Sequence, residues 1–271
     1  MIKAGLVVEG GGMRGVYSSG VLDFFIEKDL FFENNYGVSA GACHLCSYLA
    51  KQYKRAFRVN VDYLNDKRYC SVHSLLKTGN LFGAEMLYDI IPNELDLFDY
   101  DTYNKNESNF YVVITDINTG KPEYVKIGDL KKDIIYVRAS SSLPLLAQNV
   151  KINDKEYLDG GISDSIPIKK SIADGNKKNV VILTRDSTYR KGKNSLMPII
   201  KLKYKKYPNF VKSMADRYIV YNEILDFIKE LENNGDVFVI RPKKPVNIGR
   251  TEKNREKLEA LYNDGYNDAK D

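Results

Sequence analysis

Histidine and cysteine are scarce in this chain of 271 residues, which carries only His44 and His73 of the first and Cys43, Cys46 and Cys70 of the second. Three is an odd number of cysteines in a chain too large to depend on disulfide staples, so a reducing cytoplasm is the expected setting. Long apolar runs are missing too. The segment Met1–Val8 reaches Glu9 before a secretion signal could form, and no later stretch approaches the ~18 apolar residues of a membrane span. Neither export nor a transmembrane anchor is expected. Charge of one sign is also in short supply: 41 basic and 36 acidic residues leave a net +5, too small for a nucleic-acid footprint unless it is concentrated. The one concentration is Arg185, Arg190, Lys191, Lys193, Lys201, Lys203, Lys205 and Lys206, against the single acid Asp186.

What is present fits a globular protein with one sizeable core, at 43% hydrophobic and 28% charged residues. No repeat, heptad or low-complexity tract occurs, and apolar runs alternate with breakers. Ala4–Val8 ends in Gly10-Gly11-Gly12, after which Val21, Leu22, Phe25 and Ile26 fall at helical spacing: strand, glycine loop, helix. The run 31–38 leads through Gly37-Val38-Ser39-Ala40-Gly41 into a helix over 42–49, repeating that logic. Strands are expected at 110–115 and 124–127 around a turn at 118–122, then at 180–183 and 237–240. Helices are expected over 221–231 and from about Asn254. The alternation predicts an α/β sheet covered on both faces.

Three segments carry chemistry. Gly37-Val38-Ser39-Ala40-Gly41 has the G-x-S-x-G form of a nucleophile elbow, in which a side chain at either glycine would collide with the neighbouring strand or helix. The serine needs a base, and the histidines do not supply a serine, acid, histidine order: His44 lies five residues from Ser39, and His73 far upstream of any suitable acid. A carboxylate held close by burial can accept the proton directly. Asp159-Gly160-Gly161 is the best candidate, with Asp154 and Asp164 as flanking rivals; Ser165-Ile166-Pro167 after Asp164 reads as a helix start. The third segment, Gly10-Gly11-Gly12-Met13-Arg14-Gly15, has two readings. It is either a phosphate or dinucleotide loop, or an oxyanion hole whose amides face a tetrahedral intermediate with Arg14 adding positive charge. The second reading accounts for the elbow and the aspartate together.

These residues resemble the patatin-like phospholipases, bacterial acyl hydrolases with a Ser-Asp dyad. Gly10–Gly15 is similar to their oxyanion loop, Gly37–Gly41 to their elbow and Asp159-Gly160-Gly161 to their D-G-G/A motif, in the same order. Thr115–Gly120 and Arg138–Pro144 are secondary resemblances, and Glu9 departs from an aspartate common in the family. The resemblance implies a three-layer α/β/α fold with a mainly parallel sheet, a catalytic core over 1–185 and a C-terminal extension over 186–271 packed upon it. It further implies Ser39 as nucleophile and Asp159 as base, with Gly10, Gly11, Gly12, Arg14 and Gly15 at the oxyanion hole and Gly37, Gly41, Gly160 and Gly161 as supports. No metal or organic cofactor is required, and the expected partner is a lipid or acyl ester rather than nucleic acid. A nucleotide- or phosphate-binding protein using the glycine loop, and a regulatory homologue with a vestigial site, are the alternatives.

Two further features remain. Cys43-His44-Leu45-Cys46 falls within a predicted helix and lacks a second ligand pair, so packing under the elbow is its expected use. The basic tract 185–206 interleaves Lys with Leu196, Ile199, Ile200, Leu202 and Tyr204, which suits either a solvated helix or a lid that docks peripherally on anionic lipid.

Overall fold

The computed structural model describes residues 1–271. Its eight strands are β1 (Ile2–Val8), β2 (Phe32–Gly37), β3 (Asn109–Asp116), β4 (Pro122–Ile127), β5 (Val150–Ile152), β6 (Lys155–Asp159), β7 (Asn179–Ile182) and β8 (Val237–Ile240). They form one sheet in the order β5-β6-β3-β2-β1-β7-β8, with β4 also paired to β3. The five strands from β3 to β8 along this order are mutually parallel, β4 and β6 each pair antiparallel with β3, and β5 pairs antiparallel with β6.

Ten α-helices surround the sheet: α1 (Val16–Glu27), α2 (Ala40–Leu49), α3 (Arg55–Val61), α4 (Val72–Thr78), α5 (Tyr100–Asn104), α6 (Leu130–Ser140), α7 (Ile168–Ala173), α8 (Met197–Lys203), α9 (Pro208–Asn233) and α10 (Arg255–Lys270). A wide π-helical segment, Met86–Leu95, carries Pro92 inside it. Strand side chains alternate between faces. Leu6 and Val8 of β1 accordingly enter the larger core with α1, α2 and α10, while Val7 enters a second core with Tyr221, Ile224 and Ile228 of α9. The result is the three-layer α/β/α arrangement with a mainly parallel sheet. No helix is long and apolar enough to cross a membrane.

The expected strands at 110–115, 180–183 and 237–240 fall within a residue of β3, β7 and β8. The helix expected over 221–231 is the second half of the 26-residue α9, whose first half mixes charged and apolar residues too evenly to show a period. Residues beyond 186 are built into the architecture: β8 extends the sheet by pairing with β7 in parallel, and α10 lies along α1. Two glycines allow that approach. A Cβ on Gly20 of α1 would stand 2.1 Å from the Tyr262 carbonyl oxygen, and one on Gly265 of α10 would stand 2.0 Å from that of Tyr17. Tyrosine hydroxyls seal the seam, Tyr17 donating to Asp268 (2.9 Å), Tyr262 to Asp23 (2.8 Å) and Tyr266 to Glu27.

Topology brings the ends of β2 and β6 together. A strand has two edges, and β4 occupies one edge of β3 from Phe110 to Thr115. The other edge is shared: β2 pairs with it as far as Gly37 opposite Val112, and β6 takes over with Asp159 opposite Ile114. Whatever follows Gly37 therefore meets whatever ends β6.

Candidate active site

Ser39 stands at the turn between β2 and α2 with φ 54° and ψ −125°, left-handed backbone that costs a non-glycine residue about 1–3 kcal/mol. Its surroundings hold it there. A Cβ on Gly41 would lie 2.4 Å from the Val8 carbonyl oxygen, so only glycine lets α2 start this close to β1. Gly37 similarly lies under Ala42, and the Gly41 amide donates to Val38 O (2.9 Å).

The Ser39 hydroxyl donates to Asp159 Oδ2 at 2.7 Å, across 120 residues of sequence. Asp159 is fixed from three directions: its Oδ1 accepts the Gly161 amide (2.8 Å), its own amide donates to Ser142 O (2.9 Å), and its carbonyl accepts the Thr115 hydroxyl (2.8 Å). Gly160 gives the chain room to turn past the Val113 carbonyl. Burial raises the Asp159 carboxyl above its ordinary pKa, while the nearby Arg217 guanidinium and the hydrogen bonds from Ser39 and Gly161 oppose that rise. The Ser140 hydroxyl, within the Arg138–Pro144 segment, accepts the Ser39 amide at 2.8 Å.

The glycine loop lies beside the serine. A Cβ on Gly10 would stand 2.8 Å from both Ser39 Cβ and Val38 O, so the loop presses directly on the elbow. Met13 donates its amide to Arg250 O (3.0 Å), whereas the amides of Gly11 and Gly12 have no acceptor within the protein. Gly15 differs from its neighbours in the motif. It packs against His44 and Ala40 on α2 and does not line the space in front of Ser39.

The rival acids are occupied otherwise. Asp164 accepts the Tyr124 hydroxyl (2.8 Å) and the Ile166 amide (3.2 Å); α7 begins at Ile168, three residues after Ser165. Asp154 lies in the exposed turn joining β5 and β6. His44 is buried, its Nε2 3.0 Å from Asn60 Nδ2, and burial depresses its pKa to about 4. Such a ring stays neutral and serves packing beneath the elbow helix. His73 is exposed on α4. Cys46 is buried on α2 with its thiol directed to Ala42 O, and Cys43 lies 3.4 Å from the Ser141 hydroxyl.

Two compartments meet at Ser39. One is an apolar cleft enclosing about 1220 Å³, mouth included, with 20 hydrophobic residues among its 31; Phe82, Tyr88, Ile91, Val137 and Leu146 are representative. The π-helical segment supplies one wall and α6 another. The second compartment, about 460 Å³ with its mouth, is polar and holds Arg14, Arg185, Lys191, Arg217 and Arg250 against Glu9 and Asp159. Gly12, Ser39 and Leu143 border both. Arg185 and Lys191 thus turn inward from the basic tract, while Lys201, Lys203, Lys205 and Lys206 remain exposed. Arg217 on α9 and Arg250 ahead of α10 sit in no local motif, and no sequence signal marks them.

A family model described as patatin-like phospholipase matches residues 6–171, and a model described as a domain of unknown function matches residues 207–271. The chain belongs to the patatin-like phospholipase family. It is 28% identical over 261 residues to the uncharacterized protein YjjU of Escherichia coli (strain K12), covering 90% of this chain and 70% of that one. It is 25% identical over 215 residues to the probable lipid hydrolase 463L of Invertebrate iridescent virus 6, covering 68% of this chain and 71% of that one. Among solved structures, VipD from Legionella pneumophila superimposes with a TM-score of 0.51 at 13% identity, over 98% of this chain and 66% of that one, which shows a shared fold.

Proposed function

We propose that the protein is a serine acyl hydrolase that cleaves a carboxylic ester of a lipid. The observation that carries this reading is the 2.7 Å hydrogen bond to a buried, otherwise fixed Asp159 from Ser39, which lines the apolar cleft. Ser39 Oγ attacks the ester carbonyl carbon while its proton passes to Asp159 Oδ2. The tetrahedral oxyanion faces the free amides of Gly11 and Gly12, each such donor being worth on the order of 10²–10³ in rate. Collapse expels the alcohol, which takes the proton from Asp159, and leaves an acyl group on Ser39. A water then gives a proton to Asp159 and attacks the acyl carbon, releasing the fatty acid and restoring the serine. The family assignment and the apolar cleft support a lipid as the acyl donor. The nucleotide-loop reading has less support, because the space a Gly10 side chain would fill is taken by Ser39 itself.

The direct test is stoichiometric labelling by a fluorophosphonate, located by peptide mass analysis. Label is expected on Ser39; a folded wild type that stays unlabelled would refute the hydrolase reading. The pH profile offers a second check. Asp159 works only when ionised, and burial raises its pKa, so kcat/KM for a neutral ester should fall on acidification at a pH above the ordinary aspartate value of ~3.9. An acid limb at or below that value would contradict the role given to its burial.

The exposed part of the basic tract fits peripheral docking on lipid. Ile199 and Leu202 project from α8 at 53% and 73% exposure, Ile200 on its other side is buried, and four exposed lysines follow. The helix lies near the cleft, since Leu145, in sequence between the cleft-lining Leu143 and Leu146, packs against the core that contains Ile200 and Tyr204. Lysines near an anionic surface contribute about 1 kcal/mol each. Neutralising Lys201, Lys203, Lys205 and Lys206 together is expected to weaken binding to phosphatidylserine-containing vesicles at least tenfold; unchanged sedimentation with vesicles would exclude this role.

A further inference from the structure

We infer that the polar compartment beside Ser39 is an anion-binding subsite that takes a phosphate group of the substrate, so that the preferred ester is an anionic lipid or lysolipid phosphate with no compensating cation. This assignment rests on the acyl-hydrolase reading and adds the headgroup to it.

The compartment collects positive charge without neutralising it. None of Arg14, Arg185, Lys191, Arg217 and Arg250 has a carboxylate oxygen within 4.0 Å. Of the two acids present, Glu9 is fully engaged: Oε1 accepts the Tyr221 hydroxyl (2.5 Å), and Oε2 accepts the Thr184 amide (2.7 Å) and hydroxyl (3.0 Å). Asp159 serves the nucleophile.

Several donors are also unspent, although Arg185 Nη1 donates to Val246 O at 2.7 Å. The Nε atoms of Arg14, Arg185 and Arg217 are buried and have no hydrogen-bond acceptor. Arg14 is 9% exposed, and its single bond is a long one of 3.5 Å from Nη1 to Ile248 O. Buried polar groups in folded proteins are hydrogen-bonded in the great majority, and three guanidinium N–H groups left open around one small chamber call for a multidentate acceptor. The charges feel one another as well. Burial and the neighbouring Arg217 lower the Lys191 ammonium to about 7, and burial with Arg185 and Arg250 lowers Arg14 to about 10. A bound dianion would favour the charged form of both.

The form of the site selects the ligand. Phosphate offers several oxygens to a set of forks, whereas the compartment holds no spare carboxylate to receive a choline or ethanolamine cation. Its shared border with the apolar cleft at Ser39 places an acyl chain on one side of the nucleophile and an anion on the other. Two of the five cations, Arg217 and Arg250, come from the segment matched by the model of unknown function. That segment therefore completes the subsite.

The experiment compares three esters of one acyl chain, presented in the same detergent micelles: lysophosphatidate, lysophosphatidylcholine and monoacylglycerol. Wild type, Lys191→Gln and Arg250→Gln are assayed for fatty-acid release, and each protein is titrated calorimetrically with inorganic phosphate. Thermal melts confirm that the variants fold; Arg250 is an exposed loop residue. Hydrogen bonds to charged groups are worth enough that each variant should lower the preference for lysophosphatidate over monoacylglycerol by about tenfold or more. Wild type should prefer lysophosphatidate to both other esters. Inorganic phosphate bound by wild type and lost in the variants, with no preference among the esters, would make this a free-phosphate site and overturn the headgroup assignment. Hydrolysis without preference and without phosphate binding would overturn the anion subsite while leaving the acyl hydrolase standing. A wild type that cleaves none of the three and resists the fluorophosphonate would remove the reading on which the headgroup assignment rests.

Discussion

Replacing Asp159 with asparagine is expected to lower kcat for ester hydrolysis by about 10²–10⁴-fold, the range that a positioned general base supplies. The substitution keeps an oxygen for the Gly161 amide but turns an NH₂ group toward Ser39 Oγ, so the serine proton loses its acceptor. Because the shape is conserved, the melting temperature of Asp159→Asn should stay close to that of wild type, which separates chemistry from folding. Fluorophosphonate labelling of Ser39 should slow in parallel with hydrolysis. Ser39→Ala should be at least as inactive, and the double variant no worse than the worse single one, since the two residues act as a unit. An Asp159→Asn protein that retained most of its activity would shift the base role to another group, and no other ionisable side chain is hydrogen-bonded to Ser39.

The second large effect concerns stability. Gly265→Ala is expected to lower the melting temperature by roughly 3–10 °C, from a net loss of about 1–3 kcal/mol. An alanine in mid-helix ordinarily gains up to ~1 kcal/mol over glycine. Here its methyl would stand 2.0 Å from a main-chain oxygen of α1, a clash that no rotamer relieves and that must push α10 outward. Gly192→Ala is the control, because nothing lies within 4 Å of the added carbon and the backbone there is not left-handed. Equal melting temperatures for the Gly265 variant and wild type would mean that α10 is held loosely, contrary to the three tyrosine–carboxylate bonds along the seam.

Most of the proposed catalytic centre was legible because its segments are local. An elbow is written in five consecutive residues and a glycine loop in six, so Ser39 and Gly10–Gly12 are found by pattern. Asp159 was found by its glycines, although what delivers it to Ser39 is the exchange of β2 for β6 along one edge of β3, which no local pattern encodes. Gly15 shows the limit of motif reading: it completes the spacing but packs against His44. The basic tract misled in part by its composition, since Arg185 and Lys191 turn inward while the lysines of 201–206 face out. Arg217 and Arg250 were invisible, because each is a lone arginine among many and only tertiary structure makes them neighbours of Arg14. The first turns of α9, and the short helices between 55 and 104, escaped because they lack an unbroken apolar period.

The embrace of α1 by α10 also sets an order of events in the life of the molecule. Val16–Glu27 leaves the ribosome well before Arg255–Lys270, the helix that supplies the surface it must bury. Contacts separated by some 240 residues, such as Tyr262 to Asp23, form only after α10 has emerged, and loop closure on that scale is slow. Arg250, whose carbonyl holds the Met13 amide beside the glycine loop, arrives in the same late step. A nascent chain thus carries Ser39 long before it carries the residues around Arg250 that complete the surroundings of the glycine loop.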